Sequence, residues 1–250
     1  MAHYEQLKFV EIISKEIKPS GWNGEKILEI GSHDVNGTVR NLFVGSSYLG
    51  ADLSQGVNVD VVASGHELKF EDGYFDVTLS CECFEHNPFW METFKNMIRM
   101  TKSSGLIIMT CATKGRLEHG TSRTTPTASP GTNSIGWNYY RNLSQSDFEN
   151  CVNLSEIFDN YHFFTNRITS DLYFFGVKKS ETCKINLNIS KILVDINGIR
   201  SIRSKTISFW LWKLPLMCAY FLPEKYFQNF GVVWLKFGFW VKRILGKLNV

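Results

Sequence analysis

Three acidic residues and two histidines in the first half of this 250-residue chain are of types, and at spacings, that could do chemistry. Glu29 stands inside the apolar run Lys26-Ile27-Leu28-Glu29-Ile30-Gly31, and Asp52 closes a second run, Tyr48-Leu49-Gly50-Ala51-Asp52. A strand that stops at a tight glycine turn, followed about twenty residues on by one that stops at a lone carboxylate, is how a doubly wound sheet holds an adenosine. Backbone passes one end of the ligand, and the carboxylate accepts from both ribose hydroxyls. Further along, Glu82 and His86 follow another apolar run, and His119 lies in Glu118-His119-Gly120-Thr121. Any of the three could take a proton from an acceptor hydroxyl, a service worth about 10²–10⁴ in rate from a positioned base.

The glycine spacing narrows the choice of adenosine ligand. A nicotinamide dinucleotide needs G-x-G-x-x-G so that backbone can approach the pyrophosphate, but Gly31 is followed by Ser32, His33, Asp34, Val35 and Asn36 before the next glycine at Gly37. S-adenosylmethionine has no phosphate, so one glycine suffices, and Asp34 is no liability beside a sulfonium. Glu29 fits the same ligand, since a carboxylate inside an apolar strand costs several kcal/mol unless paired, and the ligand's ammonium is a candidate partner.

The elements that must position these groups alternate. Leu7, Val10, Ile13 and Ile17 recur at helical spacing before Pro19-Ser20-Gly21. After the two strands, Val57 to Ala63 reads as a third, Tyr74 to Cys81 as a fourth, Phe89 to Thr101 as a helix and Gly105 to Cys111 as a fifth strand. Lys114 to Asn138 has no periodicity and reads as a lid at the ligand end of the sheet. Ser144 to Cys151 forms a short helix with Ser144 as cap and Asp147 at its third position, and Asn160–Phe164 with Ile168–Val177 supply two last strands.

In that order, Leu28-Glu29-Ile30-Gly31, Gly50-Ala51-Asp52, Phe75-Asp76-Val77 leading to Glu82-Cys83-Phe84-Glu85-His86, and Ser104-Gly105-Leu106-Ile107-Ile108-Met109 resemble the class I S-adenosylmethionine-dependent methyltransferases. The resemblance spans roughly residues 24 to 178, and is to the small-molecule group similar to the ubiquinone and menaquinone C-methylases. It implies a mostly parallel seven-stranded, Rossmann-like α/β sheet whose last two strands form an antiparallel pair at one edge. It also implies S-adenosyl-L-methionine as cofactor, with Glu29, Gly31, Ser32, Asp52, Leu53, Ser64, Gly65, His66 and Cys81 around it. Two positions depart from the family: the usual Gly-x-Gly is Gly31-Ser32-His33, and an adenine-contacting Asp is replaced by Ser64, whose hydroxyl makes a weaker bond than a charge would. Binding of the cofactor is expected, without great tightness.

The acceptor side draws on His119, His86 and Glu82 as candidate bases and on Trp90, Tyr139, Tyr140, Arg141 and Asn142 as candidate acceptor contacts, the last four pairing aromatic faces with fork-shaped donors as a sugar site would. Each has a plainer use: His86 as a helix cap, His119 as a solvated loop residue, Trp90 and the tyrosines as packing. Cys81 and Cys83 have no activating base and read as wall residues. The six cysteines lack C-x-x-C or matching histidine spacing, so reduced thiols and no metal are expected.

Charge divides the chain in two. Residues 1–179 carry 16 Lys and Arg against 21 Asp and Glu; residues 180–250 carry 11 against 3. Two domains are therefore expected, a catalytic one over 1–179 and a basic, aromatic extension over 180–250. From Ile207 onward, Trp and Tyr interleave with Lys and Arg, the composition of a bilayer interface. Thr206–Leu222 is shorter than a spanning helix needs and contains Lys213 and Pro215, so 206–248 is expected to lie on a membrane rather than cross it. Covering the catalytic domain and forming a homodimer interface are the competing uses of these aromatics. Nucleic acid is not expected, the charges lacking a recognition motif. With no basic, apolar leader, the expected place is the cytoplasm, at the inner face of the membrane. The expected activity is methyl transfer to a hydroxyl of a sugar or lipid-linked glycan in surface-polysaccharide assembly. The competing expectations are a lipid, quinone or soluble-metabolite methyltransferase, and a non-catalytic membrane-associated protein that keeps the fold.

Overall fold

The computed structural model describes residues 3–181, 187–199 and 206–248; Cys183 lies outside them. Strands β1 (Lys26–Ile30), β2 (Ser47–Asp52), β3 (Val61–Val62), β4 (Phe75–Cys81), β5 (Thr101–Ala112), β6 (Phe158–Asn166) and β7 (Asp171–Lys178) form one sheet in the order β3-β2-β1-β4-β5-β7-β6. β1 to β5 run parallel, and β7 is antiparallel to both β5 and β6. The strand order reverses between β1 and β4, so their carboxyl ends open a crevice, the place where such sheets bind ligands.

The central strands are apolar runs because both faces are covered. On one face α1 (Tyr4–Ile17) lays Phe9, Val10 and Ile13, all fully buried, over Ile27, Leu79 and Ile108. On the other, α2 (Trp90–Met100) buries Phe94, Met97 and Met100 over Leu28, Ile107 and Met109. α4 (Gln145–Cys151) adds Phe148 to that layer, its start fixed as the sequence indicates: the Asp147 carboxylate accepts from the Ser144 backbone N–H at 2.8 Å. The short α5 (Leu154–Ile157) leads into β6.

Several bounds differ from the sequence reading, each for a local reason. The third strand shrinks to Val61–Val62 because Asn58 turns left-handed (φ 67°) and the Asp60 carboxylate folds back to accept from the Gly50 N–H at 2.7 Å. β5 starts at Thr101, its ladder to β4 interrupted near Ser104 (φ 57°). β7 starts at Asp171 because Ile168–Ser170 belong to the turn, with Ser170 at φ 59°. The lid is not wholly irregular; it contains α3 (Pro130–Ser134).

The extension is also placed differently. α6 (Ile189–Asn197) packs on α1, burying Ile192 and Ile196 in the same core layer, with Lys191 paired to Glu16 at 2.7 Å. Beyond it come α7 (Ile207–Ala219), whose Lys213 reaches the Ser170 hydroxyl at 3.1 Å, and α8 (Glu224–Leu248), which contacts the lid. Gln228 joins its carbonyl oxygen to the Glu118 N–H (2.7 Å) and its amide to the Arg116 carbonyl (2.8 Å), and Phe227 is buried. Much of the apolar surface stays open: Phe221 is 86% exposed, and Phe239 and Trp240 are each 58% exposed. Among the described residues, no helix is long and apolar enough to cross a membrane.

Candidate active site

The crevice at the switch point holds a small cleft of about 70 Å³ under the lid. Gly31, Asp52, Leu53, Ser64, Gly65, Glu82 and His86 line it. Gly31 ends β1 in the left-handed region (φ 83°), and a Cβ there would meet that of Cys83 at 2.7 Å, so only glycine lets the chain turn under the cleft. Asp52 is held at the end of β2 by the backbone N–H groups of His33 (3.1 Å) and Leu53 (2.7 Å), one on each oxygen. Each oxygen keeps a lone pair for the cleft. The lid closes over it, Gly131 approaching so near that a Cβ would fall 2.6 Å from Asp52 Oδ1.

Other residues read as cofactor contacts lie elsewhere. Glu29 is buried beside the sheet and accepts from the Tyr48 hydroxyl at 2.7 Å; it does not line the cleft, and its partner is this phenol. Ser32 is buried under Gly50 and Cys81 under α1, so the cleft thiol is Cys83, whose pKa burial lifts to about 12. His66 stands outside, stacked on Phe89 and bonded to the Ser64 hydroxyl at 2.7 Å.

Burial pushes Glu29 up to about 7 from the usual 4.5, the Tyr48 bond opposing. A raised folded-state value means the folded chain keeps a proton that the unfolded chain releases above pH 4.5. Stability is therefore greatest below that value, falls as pH rises toward 7, and stays reduced above it, by about 3 kcal/mol at 1.36 kcal/mol per unit. Glu29→Gln, which keeps an acceptor for Tyr48, is expected to raise the thermal midpoint by several degrees near pH 8 and barely at pH 5. Equal shifts at both pH values would contradict this.

On the acceptor side the structure assembles a polar nest. Glu82, at the end of β4, is held at φ 51°, strained for a side-chain-bearing residue, and its buried carboxylate has no hydrogen-bond partner. Arg116 of the lid lies 3.7 Å from it and 3.1 Å from buried Asp171. His3, at the start of α1, meets the other Asp171 oxygen at 3.0 Å. Burial, then the neighbouring Glu85 and Asp171 charges, push Glu82 well above the usual carboxylate range. His86 is buried with its ring 4.8 Å from that of His119 and 5.5 Å from that of Tyr140. Burial holds both imidazoles neutral, His119 at about 4 and His86 well below its ordinary value. Gly120, at φ 70°, makes the turn behind His119, with room for no Cβ against His86.

The remaining candidates are used up internally. Trp90 is buried against Phe148. Tyr139 is half-buried against Arg141, which is ion-paired with Asp147. Tyr140 donates to Leu117 and Asn142 oxygens, and Asn142 donates to the Arg116 carbonyl and to Glu224 of α8. None of these five lines the cleft; Trp137, tilted against Phe89, does. Nothing local in the sequence marks Trp137, Arg116 or Asp171, because lid closure and the β7 turn bring them in.

Residues 29–109 match the family model of a methyltransferase domain. The chain is similar to the structure of Haemonchus contortus phosphoethanolamine N-methyltransferase 2 in complex with S-adenosyl-L-methionine, at 16% identity and a TM-score of 0.49, over 69% of this chain and 52% of that one. It thus spans about half the length of that protein. It is also similar to Burkholderia thailandensis 1,6-didemethyltoxoflavin-N1-methyltransferase with bound 1,6-didemethyltoxoflavin and S-adenosylhomocysteine, at 11% identity and a TM-score of 0.48, over 71% and 80% of the two chains. No curated protein matches the sequence.

Proposed function

We propose that the chain is a class I, S-adenosylmethionine-dependent methyltransferase, its residues 29–109 matching a methyltransferase-domain model, and that it methylates a hydroxyl of a sugar or lipid-linked glycan at a membrane surface. The buried Glu82 carboxylate, in the cleft and without a hydrogen-bond partner, carries this reading, because transfer to an aliphatic hydroxyl is the case that needs a base. When bound, S-adenosylmethionine would supply a sulfonium methyl carbon for an aligned acceptor oxygen to attack, the C–S bond breaking with its electron pair left on the departing thioether.

The residues present fit that cofactor. Asp52 keeps acceptor capacity for two ribose hydroxyls, Gly31 would leave bare backbone for the amino-acid end, and Leu53, Ser64 and Gly65, which line the cleft, would lie against the adenine. In its ionised form, which Arg116 at 3.7 Å and His3 favour against burial, Glu82 takes the acceptor's proton on a carboxylate oxygen. Lid segment Ala128–Thr132 lines the cleft and would keep water from the reacting atoms. Trp137 offers a flat apolar face beside polar groups, which suits a sugar ring. The exposed aromatic face of α7 and α8 supports a membrane-borne acceptor, and we assign the peripheral contact to it.

Incubated with methyl-labelled S-adenosylmethionine and a membrane extract, the chain is expected to label a lipid-extractable glycan in a linkage that mild alkali leaves intact. Phe239→Glu with Trp240→Glu is expected to cut that labelling about tenfold, as losing two interfacial anchors should. Label confined to amines or to water-soluble metabolites would refute the reading.

A further inference from the structure

Beside Glu82 lies a second group of side chains that the chemistry above leaves unused. Glu85, His86 and His119 each bring a ligand-type atom within 4.8 Å of the others'. Glu85 is fully buried, and neither carboxylate oxygen has a hydrogen-bond partner from another residue. Burial pushes this carboxyl up to about 7, so it takes up its charge only at a cost that a bound cation would offset.

Both imidazoles are prepared as electron-pair donors. His119 Nδ1–H donates to the Leu117 carbonyl at 3.0 Å, which leaves the lone pair on Nε2. His86 is buried, and its Nδ1 has no hydrogen-bond partner. For His119, a backbone carbonyl on the far nitrogen is the usual way a metal-bound histidine is fixed in tautomer and direction. The Tyr140 hydroxyl, although close, is turned to Leu117 and Asn142 and satisfies none of the three.

We propose that Glu85, His86 and His119 bind one divalent transition-metal cation of the zinc class at the wall of the cleft. Two imidazole nitrogens with one carboxylate oxygen select such ions over magnesium or calcium, which prefer oxygen throughout. Bonds of about 2.0–2.2 Å would draw the donors closer than they now stand, a movement that side-chain rotation provides. Three protein ligands leave a coordination position, and His86 is itself a cleft residue. Holding an acceptor oxygen there is a role that rests on the proposed methyl transfer; binding of the ion does not.

A second nest, His3, Glu82 and Asp171, has comparable spacing but already holds its cation, the Arg116 guanidinium at 3.1 Å from Asp171. The two are separable by experiment. The full chain, stripped with chelator and dialysed against Zn²⁺ alone without S-adenosylmethionine, is expected to retain one equivalent by elemental analysis. Its X-ray absorption should report two imidazoles and no sulfur. Glu85→Gln and His119→Ala are each expected to weaken zinc binding at least about tenfold, the lower end of what loss even of supporting groups costs; His3→Ala should leave it unchanged. Absence of stoichiometric zinc, sulfur ligation, or equal retention by both variants would overturn the site. Should the variants fail to fold, the absorption spectrum of the unaltered chain decides alone. All of these readings stand even if the chain transfers no methyl group.

Discussion

Asp52→Ala is expected to weaken binding of S-adenosylmethionine and its demethylated product at least about a hundredfold. The carboxylate is placed to accept from two ribose hydroxyls, and bonds to a charged acceptor contribute about 1.5–3 kcal/mol each. Losing both amounts to a factor of roughly 10²–10⁴. The two backbone N–H groups that Asp52 now satisfies, those of His33 and Leu53, lose their acceptor as well, so the turn after β1 should loosen. Asp52→Asn separates the two effects, because an amide oxygen can still accept while the charge is gone. It should fall between the native chain and the alanine variant. Unchanged affinity in Asp52→Ala would remove the basis for the cofactor assignment.

Glu82→Gln is expected to lower turnover by about 10²–10⁴ while leaving cofactor affinity within a few fold. The substitution keeps shape and removes only the capacity to take a proton. The backbone strain at φ 51° supports the same assignment, since a residue is seldom held there without a constraint that repays it. Most of the nest exists to manage this one carboxylate: Arg116 balances it, and Asp171 with His3 holds Arg116 in place. If Glu82→Gln turns over normally, the proton leaves by another route and the hydroxyl acceptor loses its main support.

How much of this was legible beforehand differs by element, and the reason is range. The first five strands could be read because buried parallel strands must be apolar runs, while the seven-stranded sheet with its antiparallel edge came from the family resemblance. Ser144 with Asp147 could be read because a cap and its partner are three residues apart. The acceptor contacts assigned to Tyr139–Asn142 could not be verified that way, since residue type does not say which way a loop faces. Arg141 turned to Asp147 and Asn142 to α8 instead. Glu29 was read as needing a partner, which is correct physics, but the partner came from the neighbouring strand, where Tyr48 pairs with Ile27 in register and reaches across. The tail was read from composition alone, and composition cannot show that Gln228 would anchor α8 to the lid backbone.

The central claim is that the cleft between Gly31 and Asp52 takes a sulfonium nucleoside. Calorimetric titration of the full chain with S-adenosylmethionine, set beside a nicotinamide dinucleotide, tests it most directly. The account predicts one binding event per chain in the micromolar range, about −8 kcal/mol, and no heat from the dinucleotide. No heat from S-adenosylmethionine, or binding of the dinucleotide in its place, would contradict it.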